Sequence, residues 1–92
     1  MNYVREHLIE EFLVREVKRR GGIAYKFVSP NRANVPDRLC IMPGGRIFFV
    51  ECKAPSKNLR PGQRREIERM RDRGAEVFTL RNKDLSEIFT DG

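Results

Sequence analysis

Apolar and polar positions follow two different periods along the chain, and the points where the period changes mark its elements. Apolar residues recur at helical spacing from Tyr3 to Arg20, and Gly21-Gly22 stops that run with basic residues in its last turn, as a helix dipole favours. Ile23 to Val28 then alternates as a strand, with Ile23, Tyr25 and Phe27 on one face and Ala24, Lys26 and Val28 on the other. That aromatic row is expected in the core rather than as a base-stacking platform. Ser29 to Asn34 is turn-rich, Arg38 to Met42 is a second strand, and Pro43-Gly44-Gly45 reverses the chain. Arg46 to Lys53 is rich in β-branched and aromatic residues and is expected to be a strand buried on both faces. After the polar loop Ala54 to Leu59, a helix runs from Pro61 to about Arg73, with proline at its first position and Gly74 as its stop. Gln63, Ile67, Met70 and Gly74 share one stripe of it, so Gln63 is expected to point inward. Glu76 to Leu80 reads as a last strand and Lys83 to Phe89 as a short helix. The order is α-β-β-β-α-β: an α/β fold with a mixed four-stranded sheet flanked by helices, in a single domain spanning 1–92.

The chemistry concentrates on the third strand. Its alternation puts Ile47, Phe49, Glu51 and Lys53 on one face, so an acid and a base stand side by side at the end of an apolar row. A Glu-x-Lys pair is ordinarily a solvated cross-strand pair, but unpaired charges are costly in a buried strand. Asp37 lies fourteen residues before Glu51, at the mouth of the preceding strand, and antiparallel pairing brings it beside Glu51 and Lys53. Two carboxylates at that range repel unless a cation lies between them. Hard oxygen ligands with room for water suit Mg²⁺ or Mn²⁺, which Asp37, Glu51 and the Cys52 carbonyl would hold, while Lys53 orients water or stabilises phosphate charge. On the first helix, Glu6, Glu10, Leu13 and Val17 lie along one stripe at the flank of the apolar face, with Glu11 opposite. Glu16 falls nearer the buried centre, where it would pair with a lysine.

These residues, in this order, resemble the Pro-Asp…(Asp/Glu)-x-Lys nuclease superfamily and, more narrowly, the VRR-NUC domain. The resemblance runs from about Glu6 to Leu80 and is carried by Lys26-Phe27-Val28-Ser29-Pro30, Val35-Pro36-Asp37-Arg38, Pro43-Gly44-Gly45, Phe49-Val50-Glu51-Cys52-Lys53-Ala54-Pro55 and Arg60-Pro61-Gly62-Gln63. It implies a restriction-endonuclease-like core and a metal-dependent, structure-specific deoxyribonuclease of the small stand-alone kind typical of phage genomes. It also implies a homodimer acting on branched DNA such as four-way junctions. Gln63 would touch a metal-bound water or a DNA phosphate, and Glu6, with Glu10 as second choice, aligns with the family's N-terminal glutamate. Two positions depart from the family pattern. Asn34 stands where glycine is usual, but asparagine tolerates a left-handed conformation. Arg60 replaces the usual serine before Pro61, which removes a helix N-cap worth about 1 kcal/mol.

Composition adds a partner and a compartment. Nineteen basic and thirteen acidic residues among 92 give a net charge of +6, which favours a polyanion. Arg15, Lys18, Arg19 and Arg20 close the first helix, and six arginines crowd the region from Arg60 to Arg73. Part of that set would be a solvated face balanced by Glu66 and Glu68. Lys26, Arg32 in the loop before Asp37, Lys57, Arg60, Arg64 and Arg65 are the candidate DNA-binding residues. Cys40 and Cys52 in predicted strands read as reduced core thiols, and one histidine, His7, does not complete a zinc site with them. Without a secretory signal or a long apolar run, the chain is expected in the cytoplasm and not in a membrane. A non-cleaving nucleic-acid-binding module and a basic structural protein are the rival readings. Neither explains two buried acids, because binding DNA would favour their loss.

Overall fold

Helix α1, Glu6–Arg19, buries Ile9, Leu13 and Val17, one residue per turn, and all three are wholly inaccessible to water. Each such side chain contributes roughly 1.5–3 kcal/mol relative to an exposed one. The helix ends as the double glycine requires. Gly21 adopts φ +88°, its amide bonds the Lys18 carbonyl, and the Gly22 amide bonds that of Val17. The structure, a computed structural model, describes residues 5–90, so the expected helix start at Tyr3 lies outside the described residues.

Strands β1 (Ile23–Lys26), β2 (Arg38–Ile41), β3 (Ile47–Cys52) and β4 (Val77–Leu80) form one mixed sheet in that spatial order. The first two neighbouring pairs are antiparallel, and β3 and β4 are parallel, joined through helix α2, Pro61–Asp72. The β2–β3 reversal is closed by the Met42 amide on the Arg46 carbonyl at 2.8 Å, with Gly44 and Gly45 both at positive φ. One face of the sheet carries Cys40, Phe48, Val50, Cys52 and Leu80 against α1. On that side Phe48 meets Phe78 and Phe89 edge to face, and the Arg46 guanidinium lies 4.8 Å from the Phe48 ring while gripping Glu76 at 2.8 Å.

Four expectations are corrected here. The aromatic row of β1 is not core: Ile23 is 54% and Tyr25 49% exposed, because α2 packs near β4 and does not reach over β1 and β2. Together with Ile41 and Ile47, to which the register joins Ile23 in one row, they leave an apolar sheet face open. Consequently β3 is not buried on both faces along its length, since Ile47 is half exposed. β1 stops at Lys26 rather than Val28, where its partner strand begins, and Val28 turns outward. Finally, Lys83–Phe89 is no helix. Asn82 and Asp84 accept hydrogen bonds from the amides of Asp84 and Ser86, a geometry that competes with helix, and only a turn survives around the buried Leu85 and Ile88.

Candidate active site

Asp37 reaches its place through a constrained approach. Asn34 takes the left-handed conformation, at φ +70°, that its side chain tolerates, and Pro36 is fully buried. The Phe27 amide donates to the Asp37 carbonyl at 2.8 Å. Backbone register between β2 and β3 starts at Arg38–Val50, and one position beyond it the Asp37 carboxylate takes over the role of a backbone acceptor. Its Oδ2 receives the Cys52 amide at 2.9 Å. The sheet ladder thus ends in a carboxylate held beside Glu51.

Glu51 is 3% exposed, and its Oε2 accepts a 3.0 Å hydrogen bond from Gln63 Nε2. Burial, and then the negative charge of Asp37, push its carboxyl up to about 7, against the smaller opposing pull of Lys53. Gln63 is 5% exposed and inward, as its stripe predicts. Its Oε1 meanwhile accepts the Arg60 amide at 2.9 Å, so one carboxamide fastens both the helix start and the acid. This is half of a capping box. The other half is absent because an arginine side chain carries donors only and gives α2 no side-chain cap, as the replacement of serine implies.

Lys53 is 8% exposed and lines a groove of about 490 Å³ with Arg5, Glu6, Ala54, Lys57 and Arg60, among others. Two of the candidate DNA-binding residues, Lys57 and Arg60, therefore meet the base of the site. Glu6 is on the same groove, and its charge adds to the rise at Glu51. Glu10 sits differently, tied to Arg38 at 2.7 Å and Lys26 at 3.3 Å. Arg64 and Arg65 are exposed on α2 and make no ion pair among the described residues. Glu16 pairs with Arg19 at 2.9 Å rather than with a lysine. A larger groove of about 540 Å³, between α1 and the 83–90 segment, shares no residue with this one, and its two acids, Glu16 and Asp84, are held by Arg19 and by the Ser86 amide.

The donor set fits a hard cation. Glu51 and Asp37 offer oxygens only, and their mutual repulsion inside a buried wall is the charge imbalance a divalent ion relieves. No three His, Cys, Asp or Glu side chains converge among the described residues, so backbone or water oxygens would complete the shell. The cysteine sulfurs take no part. Burial raises the Cys40 thiol to about 11 and the Cys52 thiol further still, and both are free thiols in the core.

One pair escaped the sequence reading. Glu66 is 5% exposed and bonds Arg32 Nε at 2.9 Å and Arg69 at 3.1 Å, rather than balancing a solvated face. Burial raises its carboxyl, but the bonds from both arginines outweigh that and hold it below the ordinary range. Its place on the stripe of Gln63, one turn on, was a signal; its partner 34 residues upstream was not. Gly62 adds a second contact between loop and helix, because a Cβ there would lie 2.7 Å from the Asn34 amide nitrogen.

Comparison with known proteins bears on the same segment. The VRR-NUC domain profile matches residues 4–84. "Putative nuclease p44" of Acyrthosiphon pisum secondary endosymbiont phage 1 is 53% identical over 88 residues, 96% of this chain and 95% of that protein. A solved structure described as a VRR_NUC domain aligns with a TM-score of 0.83 at 34% identity, covering 91% of this chain and 96% of that one. Since these matches span the hairpin and crossover that bring Asp37, Glu51, Lys53 and Gln63 together, the chain belongs to the VRR-NUC domain family of nucleases.

Proposed function

We propose that this nuclease is a Mg²⁺- or Mn²⁺-dependent deoxyribonuclease that hydrolyses phosphodiester bonds in branched DNA such as four-way junctions, working as a homodimer in the cytoplasm of a bacterial or phage-infected cell. The observation that carries the reading is Glu51: a buried carboxyl lifted to about 7 beside a second carboxylate and a lysine is a poor structural pair and a good acidic site. Asp37, Glu51 and the Cys52 carbonyl would hold the ion, with Glu6 the nearer N-terminal acid, because Glu10 already answers two cations. When bound, a divalent ion neutralises phosphate charge and acidifies water.

The chain's own side chains supply the rest. The Cys52 amide fixes Asp37, and Gln63 fixes Glu51, so neither acid must reorganise during the reaction. Lys53, at the floor of the groove, places an ammonium where negative charge grows on the phosphate. Arg60 and Lys57 line the groove, and Arg64 and Arg65 extend the basic surface along α2 for the flanking backbone. Arg32 and Lys26 are already in ion pairs with Glu66 and Glu10, and contact with DNA would draw on their remaining donors. A junction needs two cuts, and a chain of 92 residues offers one site. The uncharged row of Ile23, Ile41 and Ile47 is the face we assign to the second copy.

The test is incubation with four-way, flapped, linear and single-stranded DNA, with and without Mg²⁺ or Mn²⁺. Paired cuts in the junction that require metal are expected, with Lys53→Ala slower by roughly 10²-fold at unchanged metal affinity. Tight binding without any cleavage would replace this reading with that of a non-cleaving module.

A further inference from the structure

Glu66 and Arg69 on α2 and Arg73 at its C-cap stand at helical spacing on one side, and Arg32 closes over them from the loop that leads to Asp37. With Met70 they line a pocket of about 190 Å³. Three guanidiniums face one carboxylate there, so the pocket keeps a positive balance after Glu66 is counted. Their donors are only partly spent. Arg32 uses Nε alone on Glu66, Arg69 uses Nε and one terminal nitrogen, and Arg73 uses one terminal nitrogen on the Arg69 carbonyl. A buried carboxylate orients the remaining N–H groups of Arg32 and Arg69, and the Arg69 carbonyl anchors Arg73, which holds the guanidinium planes before any ligand arrives. Fixed, fork-shaped donors with excess positive charge in a concave site suit the oxygens of a phosphate.

We propose that the Arg32–Arg69–Arg73 pocket, organised by buried Glu66, is a second phosphate site that receives a non-scissile backbone phosphate of the substrate DNA. The proposal rests on the reading of the chain as a DNA-cutting enzyme and names a contact for that substrate. From Gln63 to Arg69 is six residues, about 9 Å along a helix, a span that neighbouring nucleotides of one strand can cover. A strand with one phosphate at Glu51 can therefore place another in the pocket. Occupancy would also clamp the loop of Arg32 onto α2, adding to the Asn34–Gly62 contact on the approach to Asp37.

The experiment follows the arginine Nε–H resonances of the intact protein as inorganic phosphate is added. It then measures the affinity of a four-way junction in EDTA over a range of salt, for the native chain, Arg73→Ala and Arg69→Gln/Arg73→Ala. Saturable shifts at Arg32, Arg69 and Arg73 are expected, lost in the double variant, together with a salt slope smaller by about one counterion. Arg73→Ala alone changes an exposed residue and serves if the double variant folds poorly. Shifts that fail to saturate would overturn the proposal. So would phosphate binding with an unchanged salt slope, which would mean an adventitious ion only. Because binding is read without metal, absent cleavage would count against the nuclease reading and not the pocket, whereas metal-dependent cleavage with an unchanged slope would sink the pocket alone.

Discussion

At the scale of single residues, Glu51 carries a cost that its surroundings do not answer. Its carboxyl titrates near 7 in the folded chain and near 4.5 in an ordinary setting, so the fold favours the protonated form. The stability contributed by that form is fully present below 4.5 and is lost as pH rises through 7. Without metal, the urea midpoint should therefore fall between those two values and level off above them. Glu51→Gln should flatten that fall and unfold later than the native chain at pH 8, while abolishing cleavage and leaving DNA affinity equal or higher. A native midpoint that does not change from pH 5 to 8 would show that Glu51 ionises without strain. Mg²⁺ added at pH 8 should raise the native midpoint and leave that of Glu51→Gln nearly unmoved.

At the scale of elements, the order of helices and strands was legible because punctuation and periodicity agreed. Two glycine stops, a Pro-Gly-Gly reversal and a proline at the head of α2 all fell where the apolar period changed. The site was legible for a related reason: alternation on β3 and the length of one hairpin decide which side chains meet. What was not legible depended on reach. No local pattern reveals that α2 stops short of β1, which left the Ile23–Tyr25 row uncovered. Glu66 resembled a surface residue because its cation comes from a distant loop. The segment 83–89 has an apolar pattern compatible with a helix, but side-chain acceptors at Asn82 and Asp84 captured its first amides. The head of α2 yields a further prediction. Arg60→Ser restores a side-chain acceptor opposite Gln63 and should add about 1 kcal/mol, or about 4–8 °C in Tm for a domain of this size. The same change should weaken DNA binding, since Arg60 lines the groove. Calorimetry and anisotropy on one preparation check both effects.

At the scale of the whole molecule, the open face of the sheet bears on the proposed dimer. Four large apolar side chains, Ile23, Tyr25, Ile41 and Ile47, stand between 36% and 54% exposed in one neighbourhood. On a chain with a net charge of +6, such a face lets two copies approach without setting like charges against each other. Ile47→Lys should convert a dimer into a particle of 10.8 kDa by light scattering, with the fold retained and paired junction cuts replaced by single nicks. A native chain that already scatters as a monomer would remove that face from the argument. Within each copy, Gln63 has a consequence of another kind. Its one oxygen accepts from the Arg60 amide and its amide nitrogen donates to Glu51, so any ligand that redirects the acid must also loosen or tighten the hydrogen that the helix start donates. The exchange rate of that single backbone hydrogen with deuterium is therefore a gauge of what the acid is bound to, readable without substrate or turnover.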